Sequence, residues 1–301
     1  MSAGTAYRLP DMVLAAHTRA RTPPTGPLVP GLYLVATPIG NLRDITLRAL
    51  DVLAAVDQVL AEDTRVSGKL LAAHGLSARL ARYDEHGAAR ARPRILAALA
   101  GGARIALISD AGTPLVSDPG YRLVAEAVAQ GTSVIPIPGA SAVLAALTVA
   151  GLPTDRFLFA GFPPPRSAGR RRQFAELAPV RATLVFFEAG PRLAASLADM
   201  TAIFGQRQAA VARELTKLHE TVIRGRLADL AADPRLAAAK GEMVVLVGAG
   251  DERAATSAEA DAALSEALAR LSPAEAASEV ARALGLSRRD IYARAVALKR
   301  R

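Results

Sequence analysis

The stretch that most restricts how this chain folds is residues 108–120, ISDAGTPLVSDPG, because of what flanks it. The run Arg104-Ile105-Ala106-Leu107-Ile108 reads as a buried strand. On the other side, Leu123, Val124, Ala127 and Val128 fall on one helical face. The segment between them is therefore a strand-to-helix loop at the carboxyl end of a strand, where open α/β sheets bind their ligands. Its residues suit a loop of fixed shape. Gly112 admits backbone geometries closed to other residues, Pro114 fixes its own φ, and Pro119 is suited to open the following helix. A capped turn without a ligand is the competing reading of these residues alone.

Other segments repeat the pattern. Strands are expected at 32–36, 58–61, 79–83 and 133–136, and helices from Thr46 to about Val56, across Leu70 and Leu71, over 89–100 and over 142–150. Alternation of this kind implies a largely parallel sheet. After a hinge at 151–155, strands are expected at 157–161, 183–187, 209–212, 220–224 and 243–247, with helices at 193–203 and 227–232. The alternating run Glu220-Thr221-Val222-Ile223-Arg224 marks this second sheet as mixed. Residues 251–260 read as a polar linker, followed by helices, with a capping box at Ser272-Pro273-Ala274-Glu275 and a weaker one from Ser287 to Asp290. The expected organisation is a mobile leader (1–30), an N-terminal α/β domain (31–153), a second α/β domain (154–250) and a linker with a basic helical segment (251–301). The helix across 142–150 is expected to close the first domain.

Composition narrows the chemistry. No window approaches the ~18 consecutive apolar residues of a membrane span, and the cytoplasm is the default compartment. The chain has no cysteine and four histidines, none in HExxH spacing, so neither disulfides nor a metal site is expected. Its formal charge of +9 favours a polyanionic partner. The arginines 166, 170, 171 and 172 follow a Phe-Pro-Pro-Pro run in what reads as a loop suited to phosphate contact. Arg288 and Arg289 belong to a helix–Gly–helix tail that reads either as a nucleic-acid-binding helix-turn-helix or as a helical pair packed on a neighbour.

Six ordered motifs carry a family likeness: YLVATPIGNL (33–42), AEDTR (61–65), SDAGTPLVSDPG (109–120), PIPG (136–139), ARELTK (212–217) and GEM (241–243). Together they resemble the tetrapyrrole (corrin/porphyrin) methylase superfamily, in the version carried by its branch acting on ribosomal RNA. The resemblance implies a two-domain methylase fold with S-adenosylmethionine in the cleft between domains. It also implies transfer of methyl to a cytidine ribose 2′-hydroxyl in 16S rRNA of the small ribosomal subunit, and a homodimer. Tetrapyrrole methylases carry Gly-Asp-Pro where this chain has Gly112-Thr113-Pro114, which weighs against a tetrapyrrole or other small-molecule substrate. A non-catalytic RNA-binding assembly factor is the third alternative.

The cofactor pairs an amino acid with a nucleoside, and rigid Gly/Pro loops offer the backbone groups and apolar slots that both halves need. Pro38, Ile39, Gly40, Asp110, Gly112, Thr113, Pro114, Leu115 and Ser141 supply such loops in the first domain. Asp110 is assigned the ammonium, and Asp118 is carried as a candidate for the same role. The resemblance places Phe162, Phe187, Arg213, Glu242 and Met243 on the far wall. A ribose hydroxyl needs a base or a nearby cation to attack, and Glu188, Glu214 and Lys217 are the candidates. Glu62, Asp63 and Arg65 end a strand and read equally as a helix cap with a local ion pair or as substrate ligands, with Arg65 carried as an RNA contact.

Overall fold

The computed structural model describes residues 28–85, 87–117, 119–237, 239–250, 257–284 and 286–299. The 1–27 portion of the expected leader and Asp118 lie outside the described residues. The first domain comprises β1 (Gly31–Val35), α1 (Leu47–Ala55), β2 (Gln58–Ala61), α2 (Thr64–Ala73), β3 (Leu80–Arg82), α3 (Ala88–Ala100), β4 (Arg104–Ile108), α4 (Tyr121–Ala129) and β5 (Val134–Ile137). Its five strands are parallel, in the order β3-β2-β4-β1-β5.

The sheet has a core on each face, which is why its central strands β1 and β4 are largely apolar. Val52 and Leu53 of α1 and Leu71 of α2 pack on one side. Ile95 and Leu99 of α3, with Leu123 of α4, pack on the other. The neighbouring central strands β1 and β4 thus send their chains to opposite faces, and a crevice opens where their carboxyl ends part. Local signals set the helix starts. Thr46 accepts a hydrogen bond from Ala49 N at 3.1 Å, and Asp63 accepts one from Arg65 N at 2.8 Å. Pro119 stands two residues further out than expected, before the cap, because Gly120, at φ +133°, is the cap of α4 and Tyr121 its first residue.

The second domain comprises α5 (Ala142–Ala150), β6 (Phe157–Phe159), α6 (Ser167–Leu177), β7 (Thr183–Ala189), α7 (Gly190–Phe204), β8 (Gln208–Arg213), β9 (Thr221–Arg226), α8 (Leu227–Ala232), α9 (Pro234–Ala237) and β10 (Glu242–Val247). Its sheet runs β6-β7-β10-β8-β9, with β6 parallel to β7 and the other pairs antiparallel. Helices α6 to α9 cover one face, burying Phe174, Leu193, Leu197 and Leu230. Helix α5 lies on the other face, where Val143, Ala146 and Leu147 pack against Val185, Ala210 and Leu246. The helix expected to close the first domain therefore belongs, by packing, to the second.

Two further expectations are corrected. Residues 167–177 form helix α6, not a loop; its polar run lacks apolar periodicity, and Arg170 with Phe174 provides the buried stripe. Helix α10 (Ser257–Leu268) begins within the expected linker, and with α11 (Pro273–Leu284) and α12 (Arg288–Lys299) it shares a separate core around Leu264, Val280 and Ile291.

Candidate functional site: a cleft between two sheets

The loops after β1 and β4 are joined across the crevice. Thr37 N donates to Gly112 O at 2.9 Å, and Gly112 N returns a bond to Thr37 O at 3.1 Å. The Thr37 hydroxyl donates to Ser109 O at 3.0 Å. Gly112 holds φ +83°, and a Cβ there would lie 3.2 Å from an Ile39 methyl, so both the conformation and the space demand glycine. Among the described residues, four non-glycine residues have positive φ: Leu115, Ser117, Glu214 and Thr216. All four sit in the loops after β4 and β8. Such conformations cost ~1–3 kcal/mol each and concentrate at functional sites.

The loop after β8 closes on the loop after β1. A Cβ on Gly40 would stand 2.6 Å from Cγ of Lys217 and 3.0 Å from Leu215 O, so the two backbones approach as closely as glycine permits. Asn41 N donates to the Thr216 hydroxyl at 3.1 Å across the same seam. Between the domains lies a cavity of about 110 Å³. Ile39 and Ala111 of the first domain line it together with Ala142, Phe187, Ala212 and Val244 of the second. Glu214, Lys217 and Glu242 add charge, with Lys217 Nζ 3.0 Å from Glu214 Oε1. Phe187 is braced edge-on by Phe159 at 4.8 Å and Phe162 at 5.4 Å between ring centroids. An apolar slot with backbone polar groups on one wall and charges on the other suits an amphiphilic ligand with polar ends.

The structure sorts the expected residues. It brings Ile39, Gly40, Gly112, Phe187, Glu214, Lys217 and Glu242 together, with Thr113 beside them, donating from its hydroxyl to Ala140 O at 3.2 Å. Pro38 precedes Ile39 in the same loop, and Pro114 is buried. Met243 borders the cavity while packing in the core on the α7 side. Leu115 packs with the core under α4, and Ser141 accepts a bond from Leu144 N as the cap of α5. Asp110 Oδ1 accepts from Asp63 N at 3.1 Å, tying the β4 loop to the start of α2. Arg65 is exposed but held in a two-pronged pair with Asp63, at 2.6 Å for Nη2 to Oδ2, which keeps the Asp63 carboxyl well below the usual range. The cap-and-ion-pair reading of this motif is the one the geometry carries.

Three assignments change. Glu188 shares the face of Leu184 and Phe186, away from the cavity that Phe187 lines, because strand side chains alternate. It is fully buried, accepts hydrogen bonds from Ser196 Oγ and Ala189 N, and faces Arg192 Nε at 3.2 Å. It is a brace and not a proton acceptor for the cleft. Arg213 follows the same alternation, lying on the face of Ala209 and Val211 opposite cavity-lining Ala212. Arg170 is buried and pairs with Asp199 through Nε at 2.9 Å, while Nη1 donates to Pro165 O at 2.8 Å, leaving nothing for phosphate. Arg166, Arg171, Arg172, Arg288 and Arg289 are exposed. The small lining residues Ala111, Ala142 and Ala212 were missed by sequence reasoning. Ala111 and Ala212 lie inside quoted motifs but carry no polar group to single them out, and Ala142 follows the Ser141 cap.

This pairing of a doubly covered parallel sheet with a mixed sheet across a cleft defines a class of transferase fold. The family model Tetrapyrrole (Corrin/Porphyrin) Methylases matches residues 31–231, and the chain belongs to that family. A second model, the RsmI C-terminal HTH domain, matches residues 254–299. Within the family the chain is similar to proteins called ribosomal RNA small subunit methyltransferase I. That of Mesorhizobium japonicum is 53% identical, covering 92% of this chain and 95% of its own. The Pseudomonas aeruginosa protein is 45% identical over 88% and 96%. Among solved structures, diphthine synthase superposes with a TM-score of 0.58 over 72% of this chain and 89% of its own, at 18% identity, a likeness of fold. No helix among the described residues is long and apolar enough to cross a membrane.

Proposed function

We propose that this chain transfers a methyl group from S-adenosylmethionine to the 2′-hydroxyl of a cytidine ribose in 16S rRNA, acting on the small ribosomal subunit in the cytoplasm. The observation that carries the reading is co-extension. Relatives bearing the rRNA methyltransferase name align over about nine-tenths of both chains, and the RsmI C-terminal HTH model matches the helical tail as well. The same extent argues against a small-molecule methylase or a non-catalytic assembly factor.

When bound, S-adenosylmethionine supplies a methyl on a sulfonium, open to in-line displacement without a metal. The chain's task is to hold and orient both reactants and exclude water. Backbone groups around Thr37–Gly40 and Asp110–Gly112 suit the polar ends of the donor, and Ile39, Ala142, Ala212 and Val244 its adenosine. In this reading Glu214 accepts the hydroxyl proton and Lys217 beside it stabilises the oxyanion that forms. Exposed Arg166, Arg171, Arg172, Arg288 and Arg289 supply phosphate contacts that position RNA without reading sequence. We include a homodimer in the proposal: exposed Leu42 and Leu218 flank the Asn41–Thr216 bond and offer apolar surface for a second copy. Sedimentation at micromolar concentration tests it.

Calorimetry with S-adenosylmethionine, and mapping of ribose methylation in small subunits from cells lacking this protein, test the activity. Binding by the wild type, none by Gly112→Val with its cooperative melt retained, and a cytidine methyl lost without the gene are expected. Unchanged affinity in Gly112→Val removes this loop from the site, and an unchanged methylation map removes the rRNA assignment.

A further inference from the structure

A second hollow opens on the far side of the loop that follows β4. It comprises two joined cavities of about 700 and 540 Å³ that share Glu62 and Glu85. Asp110 borders the first and Ser117 the second, while Ala111 lines the inter-domain cleft. Consecutive residues, Asp110 and Ala111, thus line the two spaces. We infer that this hollow seats the base of the nucleotide being methylated, a cytosine turned out of its stack. The inference rests on the RNA-methylating reading above.

Three features of the lining converge on such a ligand. Tyr121 opens α4 at the edge of the hollow with 76% of its surface exposed, a flat aromatic face without cover where a base can stack. Unstacked RNA bases are held in this way, with their edges read by hydrogen bonds. Carboxylates at the shared centre accept from an exocyclic amino group and repel a carbonyl oxygen, so they favour cytosine over uracil. Glu85 is exposed and in no ion pair among the described residues, which leaves its carboxylate available. Arg122, next to Tyr121 on the same rim, is exposed and likewise in no ion pair among the described residues, and it meets the adjoining phosphate. An acidic cluster alone would carry none of this. The mixture of stacking face, acceptors and cation, in a hollow that shares the β4 loop with the proposed methyl-donor cleft, does.

The test uses small subunits purified from cells lacking this protein, carrying either the natural cytidine or a uridine at the target position. Tyr121→Ala is expected to raise KM for the cytidine subunits about tenfold, the scale of one lost base–aromatic stack. Glu85→Gln is expected to narrow the cytidine-over-uridine preference in kcat/KM about tenfold. Both side chains are exposed, and both variants should bind S-adenosylmethionine within twofold of wild type, which certifies the fold. Wild-type KM in the first variant together with wild-type preference in the second overturns the base site. A wild-type enzyme that methylates neither subunit overturns the function and this inference with it, a pattern distinct from loss confined to the variants.

Discussion

Arg170 and its neighbours Arg171 and Arg172 are alike in the sequence and different in the molecule. The Asp199 carboxylate takes Arg170 Nε at 2.9 Å and the Ser167 hydroxyl at 2.9 Å, fastening α6 to α7. Removing one partner of a buried pair leaves the other charge uncompensated, at about 3–5 kcal/mol. Arg170→Ala is therefore expected to lose stability on that scale in urea denaturation. Arg171→Ala with Arg172→Ala should melt like wild type and bind RNA with a shallower salt dependence. An unshifted slope would remove the phosphate role. A smaller residue-scale effect belongs to Asp57. Its carboxylate accepts from Arg104 N at 2.7 Å and from the guanidinium at 2.6 Å, which lowers its pKa to about 2. A folded pKa below the unfolded value contributes stability that is complete above about pH 4 and lost as pH falls through about 2. Denaturant titrations of wild type and Asp57→Asn should differ at neutral pH, and the gap should close across that window. The sequence marked the arginine cluster as charge. Which arginine was structural depended on Asp199, 29 residues away, and no local pattern carries that information.

Helix ends were the most legible features of the elements. The capping box at the start of α11 is closed in both directions, with Ser272 N donating to Glu275 Oε2 at 3.1 Å and Glu275 N to Ser272 Oγ at 3.4 Å. Ser272→Ala removes the cap acceptor, and a loss of about 1 kcal/mol in the C-terminal helices is expected by circular dichroism melting. No change would mean that helix packing alone fixes this start. The central strands of the first sheet were equally legible, because both faces are covered and β1 and β4 are largely apolar runs. Helix α6 was not, since its one buried stripe includes an arginine. Glu188 shows the limit of motif reading within a strand. The period of two sends it behind the sheet and Phe187 into the cleft, a distinction that needs to be told which face is which.

At the scale of the whole molecule, two sheets meet through a few glycines and tightly turned loops, and a helical domain carries its own core. Arg282, Arg288 and Arg289 are exposed there, whereas Arg294 is held by Asp261 through two bonds of 2.9 Å. A chain ending at Gly250 is expected to bind S-adenosylmethionine within twofold of the full chain and RNA at least tenfold more weakly. Its salt slope should fall by about 0.7 for each phosphate that the tail neutralises. Equal RNA affinity would assign the tail to packing.

By itself the sequence determined the kind and order of the elements other than α6 and α9, the rigid loops at strand ends and the helix caps. These follow from periodicity, φ preference and hydrogen bonding within a few residues. Only the tertiary structure decided that α5 lies on the second sheet, that Glu188 and Arg170 are braces, and that Ala111, Ala142 and Ala212 line a cleft. Each of these depends on which distant segment comes to lie against which face, and such neighbours through space are set by the packing of the whole chain.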